Sequence, residues 1–314
     1  MNENTPQPQT TQAPENLSTL PFIKAHGTEN DFVVLIDVDD QLEQLGILDD
    51  DLVASLCDRR AGVGGDGFLR IVSSDAHDAQ GANGNRWFMD YRNADGSIAE
   101  MCGNGIRVFA HVLVAQGLEQ DRQFDVVTRA GVKHTTIHSL TGEDPNGSTH
   151  AVVEVGMGPV GVTGVSTGRM GDFEFAGLGV DVGNPHLAAV IPGLTPVQLA
   201  ELAFEQPAFD HEFFPEGVNV EIVTDPETAG GEMRVGMRVW ERGVGETRSC
   251  GTGTVAAARA ALADAGVENG TITVDVPGGT LTIAINDGEA TMTGPSVIVA
   301  RGEVSLKSLR KNFT

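Results

Sequence analysis

The amino-acid sequence predicts a mixed α/β (α+β) fold in which two related halves each wrap a curved, antiparallel-rich sheet or barrel around a central helix. Short β-branched runs, several of them bounded by Gly, Pro, Asn or Asp, outnumber the helical segments. Each half contains one long apolar helix candidate, which follows a Cys-Gly-x-Gly motif at Cys102 and again, 148 positions later, at Cys250. Helices and strands alternate too sparsely for a doubly wound parallel sheet.

The individual elements follow from local patterns. Strands are predicted at 32–37, 124–131, 150–158, 218–224, 233–242, 271–285 and 296–304. Helices are predicted at 49–58, 105–117, 195–204 and 253–266. Thr195 is the expected N-cap of the third helix, with Pro196 at its first helical position. A segment near 156–170, rich in Gly, Pro, Ser and Thr, is the predicted joint between the halves.

Composition and charge narrow the class of protein. Hydrophobic residues make up 40% of the 314 residues and Gly is abundant, which is typical of a globular, turn-rich chain. Residues 1–19 lack basic residues and an apolar run, so we expect a disordered tail rather than a signal peptide. No stretch approaches the roughly 18 apolar residues of a membrane-spanning helix, and we expect a cytoplasmic protein. The net charge of −24 disfavours nucleic acid and anionic membrane surfaces as partners.

Cysteine and lysine usage argues against metals and common cofactors. The three cysteines, Cys57, Cys102 and Cys250, form neither a disulfide framework nor a CxxC pair, so we predict no zinc site and a reducing compartment. None of the four lysines accompanies a glycine-rich phosphate loop. We therefore predict that the protein works without a metal or an organic cofactor. Cys57, on a predicted helix without neighbouring glycines, is expected to be structural.

The two Cys-Gly-x-Gly motifs suggest proton chemistry. A helix N-terminus presents unpaired N–H groups and a positive dipole end, so a thiol there is expected to have a lowered pKa. The glycines allow a carboxylate to approach the same N–H groups. If two halves bring these loops to one cleft, a thiolate on one face of a carbon can remove a proton while a thiol on the other face returns one. The expected outcome is inversion at an α-carbon.

Eight motifs give the chain a resemblance to one family. They are HGTENDFVV (26–34), CDRRAGVGGDG (57–67), NADGSIAEMCGNGIR (93–107), GNPH (183–186), VNVE (218–221), RVWERGVGETRSCGTG (238–253), PGG (277–279) and MTGP (292–295). In this order they resemble the diaminopimelate epimerases, which act without a cofactor. The resemblance implies conversion of LL-2,6-diaminopimelate to the meso isomer, in lysine and peptidoglycan precursor biosynthesis.

The resemblance also assigns residues to the site. Cys102 and Cys250 match the two catalytic cysteines, which exchange the roles of base and acid with the direction of reaction, and His186 and Glu241 match auxiliary polar residues. Further residues match positions that bind the substrate: Asn30, Asn93, Asn184, Asn219 and Arg242, with Gly103, Asn104, Gly251 and Thr252 in the loops that hold the α-carboxylate. Arg242 is expected to bind the distal carboxylate, which suits the bidentate fork of a guanidinium.

The resemblance implies a division of the chain and a mode of assembly. After the tail at 1–19, residues 20–156 with 295–314 are expected to form one domain and residues 157–294 the other, with the active site between them. The last strand is expected to return to the first domain. A homodimer is also implied.

Two departures from the usual family pattern are visible. Thr28 and Glu29 stand where Leu and Gly are more usual, and Gly67 stands where some members carry a glutamine that contacts substrate. We expect these positions to affect affinity rather than proton transfer.

Three alternatives stay open at this point. Proline racemases and 4-hydroxyproline epimerases share the two-cysteine chemistry, but they usually carry a histidine where this chain has Asn104. A thiol redox sensor and a non-catalytic ligand-binding module are alternatives of a different class. Binding alone does not require paired thiols, which disfavours the last.

Two thiols that face each other within a few ångströms can form a disulfide. We therefore predict reversible inactivation by oxidation of Cys102 and Cys250. Full activity after diamide treatment in the absence of reductant would contradict this prediction.

Overall fold

The computed structural model describes residues 18–77, 84–144, 147–229 and 232–309. Of the predicted tail, residues 1–17 lie outside the described residues. The helices are α1 (Gln41–Gln44), α2 (Asp50–Cys57), α3 (Gly103–Ala115), α4 (Pro196–Glu201), α5 (Gly251–Asp264) and α6 (Leu306–Leu309). No helix within the described ranges is long and apolar enough to cross a membrane.

The strands divide between the two halves of the chain. Those of the first half are β1 (Thr19–Gly27), β2 (Asn30–Ile36), β3 (Gly67–Ser73), β4 (Trp87–Asn93), β5 (Gln123–Thr128), β6 (Gly131–Asp144) and β7 (Gly147–Pro159). Those of the second half are β8 (Gly161–Met170), β9 (Phe173–Asp181), β10 (Pro185–Val190), β11 (Ala208–Phe209), β12 (Asn219–Val223), β13 (Glu227–Ala229), β14 (Glu232–Glu241), β15 (Gly245–Thr247), β16 (Gly270–Val276), β17 (Gly279–Asn286) and β18 (Glu289–Ser305).

The first half is a closed ring of strands around α3. From β1 to β7 each strand pairs with the next, and β18 closes the ring by pairing with both β7 and β1. Most of these pairs are antiparallel, but β2 pairs with β3, and β4 with β5, in parallel. Residues Gly103 to Leu113 of α3 are all buried, as expected for a mainly apolar helix that strands surround on every side.

The second half repeats this plan around α5. Strands β10 and β12 are parallel, as are β14 and β16, whereas β12 and β14 are antiparallel. Helix α5 links β14 to β16 as α3 links β4 to β5. The predicted architecture of two related halves, each with a central helix, is confirmed. Small residues such as Ala256, Ala257 and Ala260 are buried on α5 and let the surrounding strands approach closely.

Strands β7 and β18 join the halves. The first part of β18 pairs with β17, and the part from Val297 to Ser305 pairs with β1, so the chain returns to the first half as predicted. The predicted domain boundaries at 156/157 and 294/295 lie inside these two strands and stay a prediction. The predicted joint at 156–170 is extended, because β8 continues almost directly from β7.

The predicted helices are placed correctly but their ends differ. Helices α3 and α5 begin two residues earlier than predicted, directly after Cys102 and Cys250, because each cysteine acts as the N-cap. Helix α4 begins at Pro196 after the Thr195 N-cap, as predicted, with a complete capping box, and ends at Glu201. Several elements were not predicted: the helices α1 and α6 and the strands β1, β3, β4, β6, β8, β9, β10, β11, β13 and β15.

Candidate active site

The thiols of the two Cys-Gly-x-Gly motifs occupy equivalent places in the two halves, since each caps a central helix. The Sγ of Cys102 accepts a hydrogen bond from the Gly105 amide at 3.3 Å, and that of Cys250 from the Gly253 amide at 3.4 Å. Both cysteines have extended backbone conformations, as N-cap residues do. Each thiol therefore lies at the positive end of a helix dipole.

The two helix N-termini meet. A Cβ added to Gly251 would lie 3.2 Å from the Cα of Gly103 and 3.5 Å from its backbone nitrogen. The side chain of Asn104 crosses between the halves, donating from Nδ2 to the backbone oxygen of Ser249 at 3.1 Å. The structure thus brings the predicted carboxylate-binding positions Gly103, Asn104 and Gly251 together at one junction.

Asn30 completes the surroundings of Cys102. Its Oδ1 accepts from the Cys102 thiol at 3.6 Å and from Asn104 Nδ2 at 3.2 Å, while its own Nδ2 donates to Asp66 Oδ2 at 3.0 Å. Asn30 is the first residue of β2 and Cys102 precedes α3, so the closed ring of strands around that helix fixes their separation.

Glu241 and Thr252 lie beside Cys250. The Glu241 carboxylate accepts from the Thr247 hydroxyl, which opposes the burial that raises the pKa of Glu241. The Thr252 hydroxyl lies 3.5 Å from the Cys250 Sγ. A carboxyl group with a raised pKa next to a thiol can exchange a proton with it.

A second group of hydrogen-bonded polar side chains belongs to the same half of the protein as Cys250. Fully buried His186 bonds through Nδ1 to Glu221 Oε1 at 2.7 Å and through Nε2 to Asn184 Oδ1 at 3.0 Å. The parallel pairing of β10 with β12 sets this contact, because His186 and Asn219 are register partners two residues from Glu221. The predicted residues His186 and Asn184 are therefore in direct contact with each other.

Of the remaining predicted binding residues, Asn219 is buried, whereas Asn93 and Arg242 are exposed. Asn219 accepts from the Arg242 backbone amide at 2.9 Å, and the exposed Arg242 guanidinium donates to the Glu216 backbone oxygen at 2.8 Å. Asn93 is exposed at the end of β4, where its Nδ2 donates to the Ser97 hydroxyl at 3.0 Å. The structure shows no direct contact between Asn93 and Arg242.

The expected lowering of the thiol pKa values is wrong. Burial raises the pKa of Cys102 to about 11, and the amide of Gly105 opposes this only in part. Burial raises the pKa of Cys250 well above its ordinary value, and Glu241 and Glu221 add to the effect. The loss of hydration outweighs the helix N-terminus, because a buried thiolate has few other donors.

Three polar residues of the site were not predicted. Tyr91 is the chain's single tyrosine, and its hydroxyl donates to Asn93 Oδ1 at 3.3 Å. A Cβ on Gly67 would lie 2.9 Å from the Tyr91 ring and 3.1 Å from the Arg92 backbone oxygen, so a side chain there requires these neighbours to shift. Glu221 is fully buried, and its Oε1 lies 2.7 Å from the Cβ position of Gly253. Arg107 is fully buried directly behind Asn104. In the sequence, Glu221 and Arg107 each stand as a single charged residue inside an apolar run, and this pattern could have identified them.

Thr28 and Glu29 contact the other half of the protein. The Thr28 hydroxyl lies 2.7 Å from the Ser249 hydroxyl, and Glu29 forms an ion pair with Arg248. Both residues have positive φ, 50° and 60°. These positions therefore link the β1–β2 turn to the loop before Cys250.

Cys57 is buried in the cluster around α2, where burial raises its pKa to about 12. This agrees with a structural role. All three cysteines are free.

The model of the family described as diaminopimelate epimerase matches residues 22–162 and 178–306. The diaminopimelate epimerase of Corynebacterium glutamicum is 54% identical over 288 residues, covering 92% of this chain and 99% of that one. That of Mycobacterium ulcerans is 53% identical over 293 residues, covering 90% and 96%.

Solved structures share the architecture at low sequence identity. A phenazine biosynthesis protein of the PhzF family from Bacillus anthracis superposes with a TM-score of 0.62 at 14% identity, covering 92% of this chain and 99% of that one. A hydroxyproline epimerase from Agrobacterium vitis, with bound trans-4-hydroxy-L-proline, gives 0.58 at 16% identity, covering 92% and 93%. These likenesses support the fold of two pseudo-symmetric domains.

Proposed function

The chain belongs to the diaminopimelate epimerase family, and we propose that it interconverts LL-2,6-diaminopimelate and the meso isomer by proton transfer between Cys102 and Cys250. The observation that carries the two-cysteine mechanism is the meeting of the two helix N-termini, with Gly251 against Gly103 and a thiol capping each helix. The reaction belongs to lysine and peptidoglycan precursor biosynthesis.

The chemistry is a two-base inversion. One cysteine, as the thiolate, removes the α-proton and becomes a thiol, which leaves a carbanion at the α-carbon. The other cysteine, as the thiol, delivers its proton to the opposite face and becomes a thiolate. The product is inverted and the two sulfur atoms have exchanged protonation states, so the enzyme is ready for the reverse reaction.

The junction of the helices supplies the electrostatic stabilisation. The α-carboxylate lies against the N–H groups of the loops containing Gly103, Asn104, Gly251 and Thr252, where both helix dipoles favour the charge that spreads onto it from the carbanion. These groups are fixed by the fold, so they need little reorganisation during proton transfer.

The rest of the substrate extends from the helix junction towards the protein surface, where Asn93 and Arg242 are exposed. Arg242 binds the distal carboxylate, and Asn30, Asn93, Asn184 and Asn219 bind the amino and carboxylate groups. His186 and Glu241 orient the reacting groups near Cys250, which is supported by the electrostatic interaction of Glu241 with Cys250 and by the hydrogen bond of His186 with Asn184.

Isotope exchange tests the proposal. Purified protein is incubated with LL-diaminopimelate in D₂O with reductant, and the α-position is followed by NMR. We expect deuterium at the α-carbon together with formation of the meso isomer. No exchange under reducing conditions would contradict the proposed activity.

The direction of proton transfer has its own test. We propose that Cys102 deprotonates the LL isomer and Cys250 the meso isomer. Cys102→Ala and Cys250→Ala are compared for solvent isotope incorporation into each isomer. Each variant should lose exchange more strongly with one isomer, whereas equal loss with both would contradict the assignment.

A homodimer and a cytoplasmic location stay predictions for this chain. Light scattering after size-exclusion chromatography tests the first: a mass near 33.0 kDa, that of one chain, would contradict it.

A further inference from the structure

Asn30 and Asn104 form a chain of two side-chain amides beside Cys102. Asn30 Oδ1 accepts from Asn104 Nδ2 at 3.2 Å and from the Cys102 thiol at 3.6 Å. A primary amide has an acceptor oxygen at one position and a donor nitrogen at the other, so turning it over exchanges acceptor for donor. Which atom of Asn30 faces the thiol therefore depends on the groups at the two ends of the chain.

The inner end of the chain is fixed by a donor on one side and an acceptor on the other. Asn104 is buried; its Oδ1 accepts from the Arg107 guanidinium at 3.0 Å, and its Nδ2 donates to the Ser249 backbone oxygen at 3.1 Å. A guanidinium only donates and a carbonyl oxygen only accepts, so Asn104 cannot turn over without losing both hydrogen bonds. Its Nδ2 is thus held towards Asn30.

The outer end of the chain is the Asp66 carboxylate, which directly precedes β3. Its Oδ2 accepts from Asn30 Nδ2 at 3.0 Å and from the Asp31 backbone amide at 3.2 Å, and its Oδ1 accepts from Arg59 Nη2 at 2.6 Å. These three partners are all donors, which suits an ionised carboxylate because it only accepts. Asn30 therefore turns its nitrogen towards Asp66 and its oxygen towards Cys102.

Ion pairs hold this carboxylate in place. Arg59 pairs with both Asp31 and Asp66, and Lys24 pairs with Asp31. The two aspartates also bind each other's backbone, since the Asp66 amide donates to Asp31 Oδ1 at 3.2 Å. Asp66 is 45% exposed, yet these contacts fix it against the start of β2, where Asn30 lies.

We propose that Asp66 is a positioning residue of the proton transfer, which acts through Asn30 by holding the Asn30 amide with Oδ1 towards the Cys102 thiol. In this orientation the thiol faces an acceptor. A turned amide would place a donor against both Cys102 and Asn104 Nδ2. The effect on turnover rests on the proposed function, whereas the orientation of Asn30 is a property of the free protein.

A double-substitution cycle separates this role from a purely structural one. The value of kcat/KM for LL-diaminopimelate is measured with reductant for wild type, Asp66→Ala, Asn30→Ala and the variant with both substitutions. Asp66→Ala should lower kcat/KM by about 10- to 100-fold, because small displacements at a reacting group have effects of that size. In the Asn30→Ala background the same substitution should have little further effect, since two residues that act through one contact are not additive.

Arg59→Gln is the matched control, because it removes the ion pairs of Asp31 and Asp66 while the Asp66 carboxylate and Asn30 both remain. It should lower kcat/KM far less than Asp66→Ala does. A loss in Arg59→Gln as large as that in Asp66→Ala would overturn the inference, because the ion pairs and not the bond to Asn30 would then carry the effect. An Asp66→Ala effect of full size in the Asn30→Ala background would also overturn it.

NMR of the Asn30 side-chain NH₂ group tests the orientation without turnover. These resonances are assigned by their absence from the spectrum of Asn30→Ala. Asp66→Ala should shift them, because they lose a charge-assisted hydrogen bond, and Arg59→Gln should shift them less. Unchanged Asn30 resonances in Asp66→Ala would overturn the inference.

If Asp66→Ala does not fold, Asp66→Ser replaces it in both measurements, because the shorter serine side chain cannot span the distance to Asn30. Epimerisation by the wild type is measured on the sample used for NMR. Absent epimerisation together with the expected shift of the Asn30 resonances would contradict the proposed function and leave the orientation of Asn30 by Asp66 standing.

Discussion

Gly251 shows why the cysteine loops need glycine. Its φ is not positive, so the requirement comes from space: a Cβ would press on the Gly103 backbone at 3.2 Å. Gly253 is similar, because a Cβ there would lie 2.7 Å from the Glu221 carboxylate. The glycines therefore keep two helix ends and a buried carboxylate in contact, in addition to admitting the substrate.

Gly251→Ala should lower kcat/KM by about 100-fold, because a shift of a few tenths of an ångström to 1 Å at the helix junction displaces both thiols from their reacting positions. The free energy of unfolding should change little, since alanine favours the helix that begins there. Steady-state kinetics and urea denaturation measure the two effects. Gly161→Ala is the control, because its Cβ would have no atom closer than 3.9 Å. Unchanged kcat/KM in Gly251→Ala would contradict the argument.

Sequence reasoning found the thiols at this scale but not all of their neighbours. Cys102 and Cys250 were recognisable because a repeated motif placed both before a helix. Glu221 and Arg107 were not assigned, since a single charge in an apolar run resembles a surface position until the fold closes over it. The pKa of the thiols was predicted in the wrong direction because a sequence does not reveal how far the helix ends are buried.

At the scale of the elements, strands whose buried positions are apolar could be predicted from the sequence, whereas some strands that carry buried charged residues could not. Strands such as β2 and β16 are apolar at their buried positions and were predicted. Strands β3 and β4 were missed because each carries buried charges: Arg70 and Asp90 are register partners that form an ion pair across them. Pairing neutralises these residues within the sheet, but along the sequence they interrupt the hydrophobic run. Strand β8 was missed because its Gly and Thr content resembled a loop.

The central helix α3 should contribute strongly to stability. Phe109 on this helix is fully buried among the strands that surround it, so Phe109→Ala should lower the free energy of unfolding by about 3 to 5 kcal/mol through lost burial and a cavity. Val299→Ala on β18 is the control; Val299 is 60% exposed, and the change should stay within about 0.5 kcal/mol. Urea denaturation measures both. Equal effects of the two substitutions would show that α3 does not form the core described.

The two halves form one structural unit because they share strands and a hydrophobic core. Residues of α3 and α5 belong to one continuous hydrophobic cluster, and the turn containing Thr28 and Glu29 is tied to Ser249 and Arg248 of the other half. Neither half has the complete proposed site, since each supplies one of its two thiols. The repeated motif predicted this arrangement, whereas the contacts of Thr28 and Glu29 follow from tertiary packing that no local pattern encodes.

The pH dependence of stability should reflect the different charges buried in the two halves. Although burial opposes it, ion pairs with Arg59 and Lys24 hold the pKa of Asp31 below its ordinary value, and Arg70 and Arg129 do the same for Asp90. A carboxyl group with a depressed folded pKa binds fewer protons in the folded state, so its stabilisation is present above the unfolded pKa, about 3.9, and is lost as pH falls through the folded pKa. The first half should therefore govern acid unfolding.

Glu221 should act in the opposite direction. Burial raises its pKa, with His186 opposing, so the folded state binds more protons and stability falls as pH rises from the unfolded pKa of about 4.3 towards the folded pKa. The free energy of unfolding, measured in urea between pH 2.5 and 9, should pass through a maximum in the wild type. Glu221→Gln should flatten the fall above the maximum and keep the acid limb, whereas Glu268→Gln, at an exposed position, should keep both. If the free energy of unfolding of Glu221→Gln fell with the same slope above the maximum, the Glu221 carboxyl group would not be the source of the extra protons bound in the folded state.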